Sequence, residues 1–292
     1  MEQPGRPRRS VLYMPGSNAR ALEKAKALPA DALILDLEDA VAPDAKRTAR
    51  AQVLEAAKSG AYGAREIVVR VNALDSPWGR DDIAKVASSG ADALLLPKVE
   101  SAAMVLEAEA LMAENGAPQG LAIWCMMETP LGILQAKEIA GASPRLACLV
   151  MGTSDLAKDL HAHHTEQRLP MLTSLGLCLL AARVYGLAIV DGVHLDLEDE
   201  TGLREVCRQG LELGFDGKTL IHPKQIAAAN EIFAPDPTGI EEAKKIIAAH
   251  AEAEKAGKGV VLMGGRLIEN LHVEDAHRLL ALAKAIAEME AA

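Results

Sequence analysis

The sequence has few aromatic residues and no long hydrophobic run. Aromatic residues make up 2% of its 292 residues, whereas hydrophobic residues of all kinds make up 50%. The core must therefore be built from Ala, Leu, Ile and Val. The formal net charge is -10, and no basic stripe is present. Nucleic acid is not expected as a partner, because phosphate contacts and base stacking need cationic and aromatic side chains.

Segments that direct proteins to membranes or to secretion are not expected in this sequence. No stretch reaches the ~18 apolar residues of a membrane span, so no membrane association is expected. The early arginines are followed by Pro15 and Gly16 and not by an apolar signal-peptide segment. The cysteines have no CxxC spacing, which favours reduced core residues of a cytoplasmic protein. They are Cys125, Cys148, Cys178 and Cys207.

Eight short apolar runs alternate with stretches of helical periodicity. This alternation predicts a parallel sheet, and eight such units predict a (β/α)8 TIM barrel. A doubly wound nucleotide-binding sheet would carry a GxGxxG turn after its first strand, but residues 14–18 read Met-Pro-Gly-Ser-Asn. The predicted strands are residues 11–14, 32–35, 67–71, 93–96, 121–127, 146–151, 187–190 and 217–221.

The helical stretches between these strands complete the barrel, and the pattern changes after Phe233. The predicted barrel helices are residues 18–27, 43–59, 80–88, 101–114, 130–140, 170–185, 199–213 and 223–233. A turn-rich break then precedes a helix over 240–255, a Gly257-Lys258-Gly259 break, a hairpin over 260–268 and a helix over 273–289. We therefore expect a catalytic barrel domain over 1–233 and a lid or oligomerisation segment over 234–292.

Polar side chains gather at the carboxyl ends of the predicted strands, where barrels of this kind place their chemistry. Glu128 and Asp155 follow two neighbouring strands, so both carboxylates can reach one ion. Mg²⁺ prefers few protein ligands and completes its octahedron with water. The pair therefore indicates a magnesium site, with two solvated loop acids as the alternative. The full set is Asp36, Glu38, Asp39, Arg70, Asn72, Lys98, Glu128, Asp155, Asp191, His194 and His222.

Arg70 lies in a β-branched run, where a guanidinium is costly unless it is paired. Its planar fork suits a carboxylate or a polarised carbonyl of a substrate. A structural ion pair with Asp36 or Glu38 is the alternative. The acids of the Asp36-Leu37-Glu38-Asp39 segment can order Arg70 and the metal waters, or one of them can be catalytic.

Three histidines, His161, His163 and His164, form a further cluster. A zinc site would need a cysteine or another histidine in register, and none is present. A solvated loop is therefore favoured. His222 is interpreted as a residue that caps the last strand.

Several motifs, taken in order along the chain, resemble the citrate lyase beta subunit and malyl-CoA lyase group of the HpcH/HpaI aldolase superfamily. The resemblance runs from about Arg9 to the last helix. The motifs are Arg-Ser-Val-Leu-Tyr-Met-Pro-Gly at 9–16, Asp-Leu-Glu-Asp-Ala-Val at 36–41, Arg-Val-Asn at 70–72, Leu-Pro-Lys at 96–98, Met-Glu-Thr at 127–129, Gly-Thr-Ser-Asp-Leu at 152–156 and Ile-His-Pro-Lys-Gln at 221–225.

The resemblance implies a barrel enzyme that uses Mg²⁺, or Mn²⁺ in its place, and acts on an acyl-CoA substrate. The implied reaction cleaves or forms a carbon–carbon bond in a malyl-CoA-type 3-hydroxyacyl-CoA, giving an acyl-CoA and a 2-oxo acid such as glyoxylate. Glu128 and Asp155 match the family's metal ligands, and Arg70 matches the arginine that holds the substrate's oxygens. A homotrimer or hexamer is implied, in which the C-terminal segment closes over the next subunit's site.

The resemblance also implies positions for CoA contacts. Tyr13 and Lys24 match CoA-contacting positions of malyl-CoA lyases. An arginine of those enzymes falls on Asn18 here, and Arg20 can substitute for it.

The C-terminal segment departs from the lyase pattern at one acid. Where the lyases carry Asp for proton transfer at the enolate carbon, this chain has Glu269. The added methylene displaces the carboxylate, and a misplacement of about 1 Å can cost ~100-fold in rate. Glu in this stretch resembles the (3S)-malyl-CoA thioesterases of the group, in which Glu269 or an acid such as Asp36 would activate water. A non-catalytic, CoA-ester-binding accessory protein is a further alternative.

Overall fold

The computed structural model describes residues 6–255 and 260–291. Eight parallel strands form a closed barrel in sequence order, in which β1 pairs with both β2 and β8. The predicted TIM barrel is therefore confirmed, and each predicted strand overlaps an observed one. The strands are β1 Ser10–Pro15, β2 Ala32–Asp36, β3 Glu66–Arg70, β4 Ala93–Leu96, β5 Ala122–Met127, β6 Leu146–Met151, β7 Ala188–Asp191 and β8 Gly217–Leu220.

The helices of the barrel follow the predicted order with two differences. The predicted helix over 130–140 is two short helices, and a helix that the sequence pattern missed follows β6 directly. The helices are α1 Ala19–Ala25, α2 Lys46–Lys58, α3 Gly79–Val86, α4 Ala102–Glu114, α5 Pro130–Leu134, α6 Ala136–Ala140, α7 Thr153–Asp159, α8 Leu172–Val184, α9 Glu200–Leu213 and α10 Ile226–Phe233.

Alternation along each strand decides which side chains reach the barrel interior. The interior cluster includes Ile34 on β2, Val68 on β3 and Met126 on β5. Because strand side chains alternate with a period of two, the residues two positions later also face inward. These are Asp36, Arg70 and Glu128, which are therefore stacked above the apolar interior at the carboxyl end of the barrel.

The same alternation turns Asp191 outward, because its neighbour Val190 belongs to the interior cluster. Asp191 is fully buried and lies 2.6 Å from Arg168 Nη1 and 3.0 Å from Lys218 Nζ. A Cβ at Gly210 of α9 would lie 3.2 Å from the Asp191 carboxylate. The interpretation of Asp191 as a side chain of the barrel mouth was thus wrong. It forms an ion cluster between barrel and helices.

Replacement of Asp191 by Asn should destabilise the protein strongly. The change leaves Arg168 and Lys218 buried without a carboxylate, and breaking a buried pair in this way costs about 3–5 kcal/mol. Thermal unfolding followed by circular dichroism would show a clearly lower midpoint. As a control, Glu231→Gln removes an exposed partner of Arg204 and should leave the midpoint unchanged. Equal midpoints for the two variants would contradict the assignment.

The C-terminal residues form a second compact unit, whereas the barrel unit spans Arg8–Phe233. The second unit contains α11 Pro237–Lys255, α12 Asn270–Ala291 and an antiparallel hairpin of β9 Val261–Met263 and β10 Arg266–Ile268. Gly264 and Gly265 turn this hairpin with φ of 57° and 80°, as predicted for a glycine pair. The predicted Gly257-Lys258-Gly259 break lies outside the described residues. Within the described chain, no helix has the length and apolarity to cross a membrane.

Candidate active site

Arg70 and Asp36 form a buried ion pair at the carboxyl ends of the barrel strands. Nε of Arg70 donates to Asp36 Oδ1 at 2.7 Å, and Nη2 donates to Oδ2 at 2.6 Å. The same carboxylate accepts the backbone N–H groups of Glu38 at 2.8 Å and Ala40 at 3.1 Å. The ion pair that the sequence left as an alternative is therefore present. Because Asp36 accepts four hydrogen bonds, it orders both Arg70 and the acidic segment, residues 36–39.

The remaining face of Arg70 is directed at the acidic segment. Nη1 lies 2.9 Å from Glu38 Oε2 and 3.2 Å from Asp39 Oδ2. The guanidinium lies over the Tyr13 ring, 5.0 Å from its centroid, and the Tyr13 hydroxyl lies 3.3 Å from the sulfur of Met126. Burial opposes the charge on Arg70, but its bonds to Asp36 raise its pKa above the usual value. The guanidinium thus stays charged and fixed in orientation.

Lys46, at the start of α2, forms hydrogen bonds with the backbone of the acidic segment. Its buried Nζ donates to the carbonyl oxygens of Leu37 at 2.8 Å and Glu38 at 2.7 Å. The ammonium also lies 5.4 Å from the centre of the Trp78 ring, within the range of a cation–π contact. Lys46 therefore fixes the backbone from which Glu38 projects. This contact could not be predicted, because Lys46 resembles an ordinary helix residue in the sequence.

Glu38 is buried, and one of its carboxylate oxygens lacks a hydrogen bond. Oε1 accepts from Lys98 Nζ at 3.0 Å. Oε2 has its ion contact with Arg70 but no hydrogen-bond partner among the described residues. Burial raises the pKa of Glu38, against the opposing effect of Arg70. A buried oxygen without a donor is costly, so the site is suited to a further donor from substrate or water.

Lys98 joins the acids of the site to one another. Its backbone N–H donates to Glu128 Oε1 at 2.8 Å, and its Nζ lies 3.8 Å from Asp155 Oδ2. Asp155 follows β6, as predicted, and lies in the first turn of α7, the helix that the sequence pattern missed. The structure therefore places Glu128, Asp155 and Glu38 around one residue.

Glu128 is 3% exposed, and burial raises the pKa of its carboxyl to about 7. Its second oxygen lies close to Gly152, where a Cβ would come within 2.6 Å of Oε2. Gly152 thus leaves room for the carboxylate beside the start of α7. A side chain at that position would displace the oxygen.

These residues fit a divalent cation of the Mg²⁺ type. Glu128 and Asp155 supply carboxylate oxygens, and the Asp155 side chain is 35% exposed, which leaves space for water. A bound cation would favour the ionised form of the buried Glu128, whose pKa is raised to about 7. Groups of three or more His, Cys, Asp or Glu side chains with metal-binding geometry are absent from the described residues. A two-carboxylate site completed by water and substrate is consistent with that finding.

Stabilisation by Mg²⁺ should increase as pH rises from about 6 to about 8, because metal ligands must be deprotonated. Glu128 has a folded pKa of about 7, above the ordinary value of 4.5. In the metal-free protein its contribution to stability is therefore complete at low pH and is lost as pH rises through about 7. Dye-based thermal unfolding with and without Mg²⁺ measures the difference. A constant Mg²⁺-induced shift across this range would contradict the assignment of Glu128 as a ligand.

The residues expected to contact CoA are in two different environments. Arg20 and Lys24 lie on α1 four residues apart and are exposed. Asn18 caps α1, and its Oδ1 accepts the N–H of Ala21 at 3.1 Å. Tyr13 faces the barrel interior beneath Arg70, and its ring contacts this guanidinium. The sequence did not indicate this contact.

The other candidate residues are exposed or have structural partners. His161, His163, His164 and His222 are exposed, and His222 Nδ1 accepts the N–H of Lys224. Asn72 donates to Asp82 at 2.6 Å. Glu269 is an exposed residue of the C-terminal unit, next to the start of α12, and its backbone N–H donates to His272 Nδ1 at 3.1 Å.

Comparison with known proteins identifies the family to which the chain belongs. Residues 9–223 match the model of the HpcH/HpaI aldolase/citrate lyase family. The chain belongs to the HpcH/HpaI aldolase/citrate lyase family. A (3S)-malyl-CoA thioesterase from Cereibacter sphaeroides strain ATCC 17025 is 52% identical over 98% of both chains. A citrate lyase subunit beta from Leuconostoc mesenteroides subsp. cremoris is 38% identical over 95% of this chain and 94% of its own.

A solved structure shares this fold over most of the chain. The crystal structure of protein CitE from Mycobacterium tuberculosis contains magnesium, acetoacetate and coenzyme A. It matches with a TM-score of 0.73 and 29% identity, over 94% of this chain and 97% of that one. The resemblance found in the motifs is thereby confirmed, and magnesium is consistent with this family.

Proposed function

We propose that this protein is a Mg²⁺-dependent hydrolase of a (3S)-malyl-CoA-type thioester, releasing CoA and malate. The observation that carries the proposal is the cluster of Glu128, Asp155 and Glu38 around Lys98, with Arg70 beside it. It combines a fitting metal pair, a cation for a substrate's oxygens and a buried acid, Glu38, one oxygen of which lacks a hydrogen-bond donor.

The sequence analysis placed carbon–carbon cleavage first and hydrolysis second, and the comparisons favour the reverse order. Relatives named (3S)-malyl-CoA thioesterase are 52% identical to this chain, whereas citrate lyase beta subunits are 37–38% identical. Glu269, which stands where we expect Asp in the lyases, points the same way. Cleavage to acetyl-CoA and glyoxylate therefore becomes the second candidate. A non-catalytic role is disfavoured, because the carboxylates and Arg70 form one assembled site.

Substrate binding would use both the metal pair and Arg70. When bound to Glu128 and Asp155, Mg²⁺, or Mn²⁺ in its place, would act as a Lewis acid toward the oxygens of the malyl group. Arg70 would hold a carboxylate or carbonyl oxygen through Nη1, the nitrogen that faces the acidic segment. Arg20 and Lys24 would contact the phosphates of CoA from the exposed face of α1.

Thioester hydrolysis needs a base to take a proton from water as the oxygen attacks the carbonyl carbon and the C–S bond breaks. Asp36 is occupied by four hydrogen bonds, and Asp39 is 62% exposed. Glu38 has an oxygen without a hydrogen-bond donor, and its raised pKa brings it closer to the working range of a general base. Glu38 is therefore the proposed base within the barrel, and Asp36 is a positioning residue. Glu269, supplied by a neighbouring subunit of a trimer or hexamer, is the alternative base.

Product analysis distinguishes the two reactions in one experiment. The purified protein is incubated with (3S)-malyl-CoA and Mg²⁺, and free thiol and glyoxylate are followed separately. We expect free CoA and malate without glyoxylate. Glyoxylate together with acetyl-CoA, and no free thiol, would establish the lyase instead and refute hydrolysis.

Replacement of Glu269 by Asp should increase the ratio of glyoxylate to free thiol. The shorter side chain restores the acid expected of the lyases, and a carboxylate shift of about 1 Å is enough to change rates ~100-fold. The same product assay measures the ratio, with Glu274→Asp as a control in α12. An unchanged ratio would show that this residue does not decide between the reactions.

A further inference from the structure

Lys98 is the one residue that the contacts above join to all three acids of the cluster. Its backbone holds Glu128, while its ammonium lies between Glu38 at 3.0 Å and Asp155 at 3.8 Å. The ammonium therefore neutralises one of the two carboxylates assigned to the metal. A divalent cation at that pair would meet a positive charge close to its own position.

Arg70, the other cation of the cluster, is held in one position, whereas the Lys98 ammonium is not. Arg70 is buried and bound to Asp36 through two short hydrogen bonds. The Lys98 side chain is 44% exposed, and its contact with Asp155 is too long for a hydrogen bond. Its flexible stem allows the ammonium to leave Asp155 while keeping Glu38. Lys98 is thus the cation of the site that can move.

The backbone at Lys98 gives independent support for a use of this side chain. Its φ is 47°, in the left-handed region that favours glycine. A non-glycine residue is uncommon there, and such backbone conformations cluster at functional sites. The same conformation directs the Lys98 N–H toward Glu128 Oε1. One residue thus sets the positions of both an N–H donor and an ammonium at the metal pair.

We propose that Lys98 is a built-in counter-cation of the metal site, which holds Asp155 and Glu38 before a divalent cation arrives and withdraws from Asp155 when it binds. Lys98 therefore lowers the affinity for the divalent cation. The withdrawn ammonium pairs with Glu38 alone and keeps that acid in place. The inference rests on the assignment of Glu128 and Asp155 as the metal pair in the proposed function.

The test measures Mn²⁺ binding by electron paramagnetic resonance, with no substrate present. The assay is run at about pH 8, which favours the ionised metal ligands. Lys98→Met removes the ammonium, so its Kd for Mn²⁺ should fall at least about fivefold, since a neighbouring like charge is lost. Lys98→Arg retains the charge and should bind with nearly the wild-type Kd. Lys98→Gly removes the charge and relieves the positive φ, so it should also bind more tightly and fold without difficulty.

Lys224→Met provides the matched control. Lys224 is 41% exposed and pairs with Glu198 at 2.7 Å, so its replacement removes the same charge from a similar environment. We expect little change in its Kd. The proposal would be overturned if Lys98→Met and Lys98→Gly both had a Kd for Mn²⁺ equal to or higher than that of the wild type. Removal of a lysine with a purely structural role would raise this Kd, because the metal ligands would be held less firmly.

The outcome is separable from that of the proposed function. Tighter Mn²⁺ binding in the Lys98 variants of a protein that does not release free thiol from malyl-CoA would support the counter-cation and refute the hydrolase. Wild-type protein that binds no Mn²⁺ would overturn the counter-cation, whatever products are found.

Discussion

Replacement of Glu128 by Gln should lower turnover at least about 10³-fold and remove the stabilisation by Mg²⁺, because a carboxylate ligand of the metal is lost. The amide oxygen can still accept the N–H of Lys98, which is 2.8 Å from Oε1 in the present structure. The change therefore leaves the local hydrogen bond and removes the charge. Since a buried, ionised Glu128 is costly without a cation, the variant should fold at least as well as the metal-free wild type above neutral pH.

Steady-state kinetics and thermal unfolding with and without Mg²⁺ test this expectation together. Glu138→Gln makes the same chemical change on an exposed position of α6 and should leave both properties unaltered. Turnover by Glu128→Gln that remains near the wild-type rate, with an intact Mg²⁺ response, would remove Glu128 from the metal site.

Replacement of Glu38 by Gln should lower kcat by about 10²–10⁴-fold with little change in KM, the usual contribution of a general base. In the wild type, activity should fall at acidic pH, because the carboxyl of Glu38 becomes protonated there. The raised pKa of Glu38 moves this fall to higher pH than for an ordinary glutamate. With Mg²⁺ at saturation, so that protonation of Glu128 does not limit the rate, the variant should therefore lose the acidic limb of the pH–rate profile. Its amide can keep the bond to Lys98, so a structural effect alone would not change the shape of the profile.

The neighbouring acid provides the comparison for Glu38. Asp39→Asn removes a carboxylate that also contacts Arg70 but is 62% exposed. We expect a much smaller loss of kcat and an unchanged pH profile. If Glu38→Gln retains the acidic limb, the base is elsewhere, and Glu269 becomes the residue to test.

The barrel could be predicted from the sequence because its strands are short, apolar and separated by helical stretches. Residues at their ends, such as Glu128 and Arg70, could be selected because their charge interrupts an apolar run. Asp155 was found for the same reason, although α7 was not. That helix has only seven residues, which is too few to show a helical period.

The contacts between side chains could not be predicted in the same way. The pairing of Arg70 with Asp36 was one of several options, because it depends on β2 and β3 being neighbours in register. Lys98 was noted as a strand-end residue, but its positive φ depends on the loop geometry and not on its residue type. Asp191 was misassigned because its position one residue after an inward-facing valine was not taken into account.

Gly152 limits how this site can be varied. A single added methyl group there would collide with Glu128, so the position tolerates no side chain without moving a proposed metal ligand. Libraries intended to change the acyl specificity of the enzyme should therefore keep Gly152 and Glu128 fixed as one unit. Arg20 and Lys24 should be kept as well, because they are the proposed contacts with the phosphates of CoA.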